Sequence, residues 1–313
     1  MKIGISSCLL GHKVRYDGQH KLDRFLRDEL GAYVEWVPVC PEVECGLGIP
    51  RESMRLVGDD PQSPRLITNK NGLDLTEKME SYAKVRLEEL SKENLRGFVF
   101  KTKSPSSGMR DVKIYTETGM PSRRGSGIFA REFMKRFPDI PVEDEGRLND
   151  PGIRENFIEM IYVYDRWLNY KQKDGGIAGL MAFHARHKYL LMSHSPSLLK
   201  DAGKLVASMN KLNKDQKVEE YQHLLLKILR LKTTPKKHTN VLQHIMGYFK
   251  KQLSGDEKSE LLEIIDKYYR NLVPLVVPLV LLQHYVRKYG DPYLSEQWYL
   301  HPHPDELKLR NHV

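Results

Sequence analysis

Long apolar runs are missing from this chain of 313 residues. The longest covers residues 272–282 and is interrupted by Pro274 and Pro278. A membrane-spanning helix needs about 20 apolar residues, so this segment is expected to form a buried, kinked helix instead. The opening residues, MKIGISSCLLGHK, turn polar too early for a secretory signal, and a cytoplasmic location is expected. Low-complexity tracts and repeats of fixed period are absent as well, which removes disordered and solenoid classes. Cysteine is scarce: there are three, Cys8, Cys40 and Cys45. An odd number in a chain with no visible signal argues against a disulfide framework. Their clustering within the first 45 residues argues for metal or thiol chemistry.

What is present is globular in character, with 40% hydrophobic and 29% charged residues and length enough for two cores. The net charge of +9 is unevenly placed. Residues 1–150 hold 25 Lys+Arg against 24 Asp+Glu, whereas residues 151–313 hold 25 against 17. A near-neutral half joined to a basic half suggests that one performs chemistry while the other meets a polyanion.

The first half alternates strand and helix patterns. Strands are expected near 2–7, 33–39, 95–101 and 141–144, and helices near 21–30, 76–92 and 128–136. On the second helix Leu75, Met79, Tyr82, Val85 and Leu90 are assigned to one face. Strands separated by helices predict an α/β, Rossmann-like domain with a mostly parallel sheet and right-handed crossovers. The turn-rich stretch GRLNDPG at 146–152 is the expected boundary, giving domains at 1–147 and 148–313. Beyond it the pattern is helical, with helices near 153–172, 176–193, 195–211, 216–232, 238–252, 256–271 and 275–289. The second domain is expected to be all-α.

Each of the first three strands is followed by a polar loop. The first carries Ser6-Ser7-Cys8, then Arg15-Tyr16-Asp17; the second carries Cys40-Pro41-Glu42 and Cys45; the third carries Lys103-Ser104-Pro105-Ser106-Ser107. Ligands of open parallel sheets bind at the carboxyl ends of the strands, so these loops are expected to meet in one crevice. Three thiolates suit a 4Fe–4S cluster with one iron left open. Two other readings stand beside it: a Cys3His zinc site drawing on His12 or His20, and inert buried thiols.

SSCLLG…RYDG, CPE and SPSSG, in this order, resemble the thiouracil desulfidase family over about the first 145 residues. With the helical half (HARHKYLLMSHS, NVLQHIMGYFK, PLVVPLVLL, PDELKLRN), the layout is similar to the two-domain tRNA 4-thiouridine desulfidases. The resemblance implies a 4Fe–4S cluster on three cysteines, with Glu42 and Ser104 as catalytic groups. Single-domain members take one thiolate from an SPSCG loop where this chain has Ser107. Cys45 is therefore expected to replace it, giving Cys8, Cys40 and Cys45 as ligands.

The implied reaction is hydrolytic, turning a thiocarbonyl and water into a carbonyl and hydrogen sulfide without electron change. Glu42 is the candidate general acid/base, and Ser104 positions water or substrate. Substrate contacts are expected from Arg15, Tyr16, Asp17, Lys101, Lys103, Ser106 and Ser107. The partner implied is tRNA, with Arg186, Lys188, Lys236 and Lys237, and further along Lys250 and Lys251, as candidate phosphate contacts. His184, His187 and His194 fall on one helical stripe that is expected to face the core or RNA. Tyr268, Tyr269 and Trp298 are expected in the core. A desulfidase for free thiouracil-type bases and a non-enzymatic RNA-binding protein with a structural metal are the competing readings.

Overall fold

The computed structural model describes residues 1–116, 118–173 and 175–312. The chain divides into two compact units, 1–149 and 150–313.

Among the described residues, eight strands build the first unit: β1 (Lys2–Ser6), β2 (Glu35–Val39), β3 (Met54–Val57) and β4 (Arg65–Thr68) come first. β5 (Phe98–Phe100), β6 (Val112–Tyr115), β7 (Pro121–Gly125) and β8 (Val142–Asp144) follow. Three helices accompany them, α1 (Pro41–Glu44), α2 (Thr76–Ser91) and α3 (Ile128–Arg136). One sheet has the order β2-β1-β5-β8 and is parallel throughout. The chain leaves β1 toward β2 on one side and returns to β5 on the other. That reversal opens a crevice at the carboxyl end of β1. The approach of β1 to β5 is close: a Cβ on Gly4 would lie 2.1 Å from the Phe98 ring.

A second sheet, β4-β3-β6-β7, pairs β3 with β6 in parallel and carries antiparallel edges. Sequence patterning misses it. Its strands have only four or five residues, and β7 (PSRRG) has almost no apolar content. Short, charged edge strands are protected against stray pairing but carry little hydrophobic signal.

α2 and α3 serve both sheets. Met79 and Ile128 join Leu56, Leu66 and Ile114 under the second sheet, while Ala83, Leu87, Phe129 and Phe133 join Phe98 and Phe100 under the first. Val85 is 62% exposed, contrary to expectation. Measured from Met79, the three- and four-residue steps of a helix reach Ala83, Leu87 and Leu90 and leave Val85 on the far side. The helix expected at 21–30 shrinks to a π turn over Phe25–Glu29 and a 3₁₀ turn over Leu30–Ala32. The Asp23 carboxylate accepts the Leu26 amide at 3.0 Å and so delays the first helical turn.

The second unit is helical: α4 (Pro151–Gln172), α5 (Gly176–His194), α6 (Pro196–Ala207) and α7 (Lys214–Leu229). α8 (Pro235–Met246), α9 (Gly255–Tyr269), α10 (Val276–Tyr289) and the short α11 (Pro292–Ser295) complete it. The apolar run at 272–282 is not one kinked helix. α10 begins after Pro274, and Pro278 falls in its first turn, where a missing N–H costs little. Leu272, Val277 and Val280 are exposed. None of the described helices is long and apolar enough to cross a membrane.

This unit buries charge. Glu159 accepts from His194 Nε2 at 2.6 Å and from Arg310 at 3.2 Å, and Arg310 also donates to Glu155 at 3.2 Å. His194 Nδ1 meets the Leu231 carbonyl at 2.6 Å, so both ring nitrogens face oxygen atoms. His187 Nδ1 donates to the Phe183 carbonyl at 2.7 Å, and its Nε2 accepts from Arg166 at 3.1 Å. His184 pairs with the Tyr221 hydroxyl at 3.1 Å. The histidine stripe is thus interior scaffolding. Tyr268 is buried as expected, whereas Tyr269 is 50% exposed.

Candidate active site

The carboxyl ends of β1, β2 and β5 lie side by side, and the loops that follow them line one cavity of about 290 Å³. The first loop supplies Ser7, Cys8, Arg15, Tyr16 and Lys21; the second supplies Cys40, Glu42 and Arg51. The third supplies Lys101, Lys103, Ser104 and Ser107. Ser6 Oγ accepts the Lys101 amide at 2.9 Å and ties the first loop to the third.

Glu42 stands on α1, whose first residue is Pro41 and whose N-cap is Cys40. Proline at the first helical position starts the turn, and a single turn suffices to aim Glu42 into the cavity. α1 is anchored from behind: Glu44 accepts the Cys40 amide at 2.7 Å, the Tyr82 hydroxyl at 2.6 Å and Arg86 at 3.2 Å. The Glu42 carboxylate meets donors at both oxygens. Oε1 accepts Ser106 Oγ at 2.5 Å and Ser104 Oγ at 3.3 Å; Oε2 accepts Arg51 Nη2 at 2.7 Å.

Ser104 and Ser106 are 2.9 Å apart at their hydroxyls, and Ser104 Oγ also accepts the amides of Ser106 and Ser107. The two hydroxyls and Glu42 form a continuous chain. Ser106 is 0% exposed and does not line the cavity, so it is not a substrate contact. Its hydroxyl is committed to Glu42, a position that SPSSG as plain turn chemistry conceals. Gly127 makes this possible, because a Cβ there would sit 2.5 Å from the Ser106 carbonyl carbon. The Gly127 amide donates to Gly108 at 2.7 Å and that of Ala130 to Ser106 at 3.2 Å, seating the serine loop on the start of α3.

The thiols divide unequally. Cys8 and Cys40 are buried and face the cavity. Burial pushes the Cys8 thiol up to about 11 and the Cys40 thiol up to about 12, with the Glu42 charge adding to both. Cys40 Sγ lies 3.8 Å from the Val14 carbonyl and 3.9 Å from Glu42 Oε2. Cys45 is the C-cap of α1 and is not among the cavity's lining residues. Its thiol donates to the Glu42 carbonyl at 3.3 Å and packs against the second sheet's core. The expected trio is therefore not gathered here: two thiols face the cavity, and Ser107 occupies the wall where Cys45 was expected to contribute. Among the described residues, no three His, Cys, Asp or Glu side chains are grouped to hold a metal ion. His12 and His20 are each engaged locally, with Ser7 Oγ at 2.6 Å and the Leu22 amide at 3.2 Å.

Arg15 and Tyr16 line the cavity, with the Arg15 guanidinium 5.5 Å from the Tyr16 ring centre. Asp17 does not line it. Its carboxylate pairs with Arg15 at 3.3 Å, and that hydrogen bond holds it below the usual carboxylate range. Lys101 is paired with Glu145, which limits it as a substrate contact, whereas Lys103 lines the cavity and carries a left-handed φ of 60°. Arg51 is the residue that motif reading missed. Its only signal was a basic residue shortly after a cavity loop.

In the helical unit, Lys236 and Lys237 begin α8 and line a surface groove with Met192, His244 and Tyr269. Arg186 forms an exposed pair with Glu296 at 3.0 Å, and the Lys188 ammonium lies 5.7 Å from the Tyr189 ring centre. Neither lines the groove, which takes Lys236 and Lys237 alone of the four basic candidates.

Comparison with known proteins matches the family described as 2-thiouracil desulfurase to residues 3–145, the stretch that builds this cavity. YbbK of Bacillus subtilis (strain 168) is 31% identical over 153 residues, covering 47% of this chain and 97% of that protein. YbgA of Escherichia coli (strain K12) is 32% identical over 145 residues, covering 45% of this chain and 86% of that protein. The chain belongs to the 2-thiouracil desulfurase family. Both relatives are described as uncharacterised. A second family, a protein of unknown function (DUF1722), matches residues 188–304 in the helical unit. Among solved structures, the 4Fe–4S-dependent thiouracil desulfidase TudS is 32% identical, covering 48% of this chain and 93% of that one, with a TM-score of 0.38.

Proposed function

We propose that this protein removes sulfur from a thiolated uracil ring, replacing it with oxygen from water and releasing hydrogen sulfide, and that its substrate is 4-thiouridine within tRNA. The observation that carries the reading is the Glu42 carboxylate, held by Ser104, Ser106 and Arg51 at the wall of the cavity that Cys8 and Cys40 share.

The donor set fits a thiolate-bound 4Fe–4S cluster in kind. Two buried thiols face the cavity beside Arg15, Arg51 and Lys101, whose charges favour thiolates. Cys45 lies at the opposite end of the single turn that Cys40 begins, with its thiol turned toward a backbone carbonyl. Cys8 and Cys40 would hold the cluster from the cavity, with Cys45 the remaining thiol on the same turn. When bound, such a cluster supplies a soft Lewis acid for sulfur.

The chain's own groups do the remainder. Glu42 takes a proton at Oε1 from the attacking water and returns it to the departing sulfur, and the second water proton leaves the oxygen for the sulfide as the carbonyl forms, so atoms and electrons balance with no redox partner. The Ser104 hydroxyl, next to Oε1 and on the cavity wall, orients the water. The exposed Tyr16 ring offers a face for the base, and Lys103 offers a cation for an adjoining phosphate. A cavity this small holds a base or nucleoside and leaves the rest of a polynucleotide outside. The basic excess of residues 151–313 supports a polyanionic substrate.

Anaerobically reconstituted protein should bleach the near-ultraviolet thiouridine band of tRNA and release sulfide. Turnover of free 2-thiouracil with intact tRNA left untouched would replace the tRNA reading by the free-base one. Absence of iron and of both activities would end the desulfidase reading.

A further inference from the structure

The serine loop holds only one edge of the Glu42 carboxylate. On the other edge, Arg51 Nη2 donates to Oε2 at 2.7 Å, and the two side chains are only 8% and 17% exposed. An arginine this buried needs a counter-charge and partners for its donors. Arg51 reaches three segments: besides Glu42, Nη1 donates to the Val14 carbonyl at 3.0 Å and to that of Gly48 at 3.4 Å, while its buried Nε has no partner among the described residues. Its backbone amide donates to Tyr16 at 2.9 Å. The guanidinium plane is therefore fixed by the loop after β1 and by its own loop, independently of Glu42.

We infer that Arg51 is a positioning residue for Glu42, fixing Oε2 so that Oε1, the oxygen facing the two serine hydroxyls, is the one that exchanges protons with substrate and water. The inference rests on the desulfidase reading for the role of Glu42, but the pairing itself does not. A flat guanidinium held at three points defines the carboxylate's rotation, whereas a lysine ammonium in its place would tether Oε2 without setting the plane. Arg51 lines the cavity on the Oε2 side of the carboxylate and handles no proton in this assignment.

The test is a double-mutant cycle on the full chain after cluster reconstitution, with Arg51→Gln, Arg51→Lys, Glu42→Gln and the pair Arg51→Gln/Glu42→Gln. Arg51→Gln should lower kcat for sulfide release by about 100-fold, the scale of a misplaced catalytic group. KM, iron and sulfide content should stay at the level of the parent protein. Arg51→Lys should recover part of kcat. In the Glu42→Gln background, Arg51→Gln should cause no further loss, because a residue acting through Glu42 has nothing left to act on. Multiplicative losses in the double variant, or loss of iron in step with activity in Arg51→Gln, would overturn the assignment. Should the parent protein release no sulfide, the desulfidase reading fails separately, and the same cycle in thermal melting decides the pairing. Non-additive Tm shifts support it, and additive shifts overturn it.

Discussion

In the proposed chemistry Glu42 is the general acid/base, and its surroundings hold that lone carboxylate of the CPE motif in place. Every hydrogen bond to it comes from a donor, and the buried Ser106 hydroxyl at 2.5 Å is the shortest. Replacing Glu42 by Gln should leave iron content unchanged and reduce sulfide release by at least about 100-fold, the low end for losing a general acid/base. Parallel loss of iron would make Glu42 a structural residue. Cys45 gives the opposite signature. If it turns to complete the ligand set, Cys45→Ser loses iron along with activity, measured as iron per chain after reconstitution; full iron in that variant would leave the set to Cys8, Cys40 and a non-thiol group such as Ser107. Residue identity predicted the cysteines and Glu42 as the chemical core. It did not predict side-chain direction: nothing in CPEVEC shows that a one-turn helix aims Cys40 and Glu42 at the cavity and Cys45 away from it. Ser106 was hidden for the same reason, since adjacent serines in a turn look alike until one is buried against a carboxylate.

At the level of elements, the serine loop depends on the start of α3 more than on its own residues. Its backbone lies against Gly127, where any Cβ would collide with Ser106 and Ser107 backbone atoms at 2.5–2.8 Å. Backbone cannot yield as a flexible side chain can, so Gly127→Ala should displace the loop and destabilise the first unit by about 1–3 kcal/mol, as overpacking does. Activity should fall further than the melting shift alone accounts for; melting curves and sulfide release measured on the same preparation check this, and an unchanged kcat would detach the loop from catalysis. The parallel sheet was legible because β1, β2 and β5 are apolar runs, each followed by a polar loop. The second sheet was not, because strands such as β7 (PSRRG) carry too few apolar residues to mark themselves in sequence. The helices of the second unit were found within a few residues through their 3.6-residue periodicity, and their ends shifted where proline and capping side chains govern, as with Thr234 and Pro235 at α8.

For each unit as a whole, stability and charge follow different rules. In the first unit α2 and α3 join two apolar clusters, while the second buries ion pairs within an otherwise apolar core. Burial depresses His238 to about 3 and His303 to about 4, so both are neutral in the fold and take up protons on unfolding. Stability from these two is lost as pH falls below about 6.5. Glu159 would be raised by burial, but the hydrogen bond from His194 and neighbouring charges lower it to about 2. Its contribution is present above about 4.5 and lost as pH falls toward 2. Glu155 runs the other way: burial raises it to about 7, so its protonation favours the fold as pH drops from 7 to 4.5. The effects oppose one another above pH 4.5. Below it the losses from His238, His303 and Glu159 act together. A pH series of thermal melts should show a shallow slope from pH 7 to 4.5 and a steep fall beneath, with Glu159→Gln flattening the steep limb; a uniform slope through both ranges would contradict these assignments. Arg310 carries a further consequence for handling the protein. Two interior carboxylates, Glu155 and Glu159, share that guanidinium near the end of the chain. A proteolytic nick in the stretch between α11 and Arg310 would therefore do more than trim a tail. It would withdraw the counter-charge from inside the bundle, at a cost of about 3–5 kcal/mol, and clipped preparations should aggregate well before their catalytic unit loses its shape.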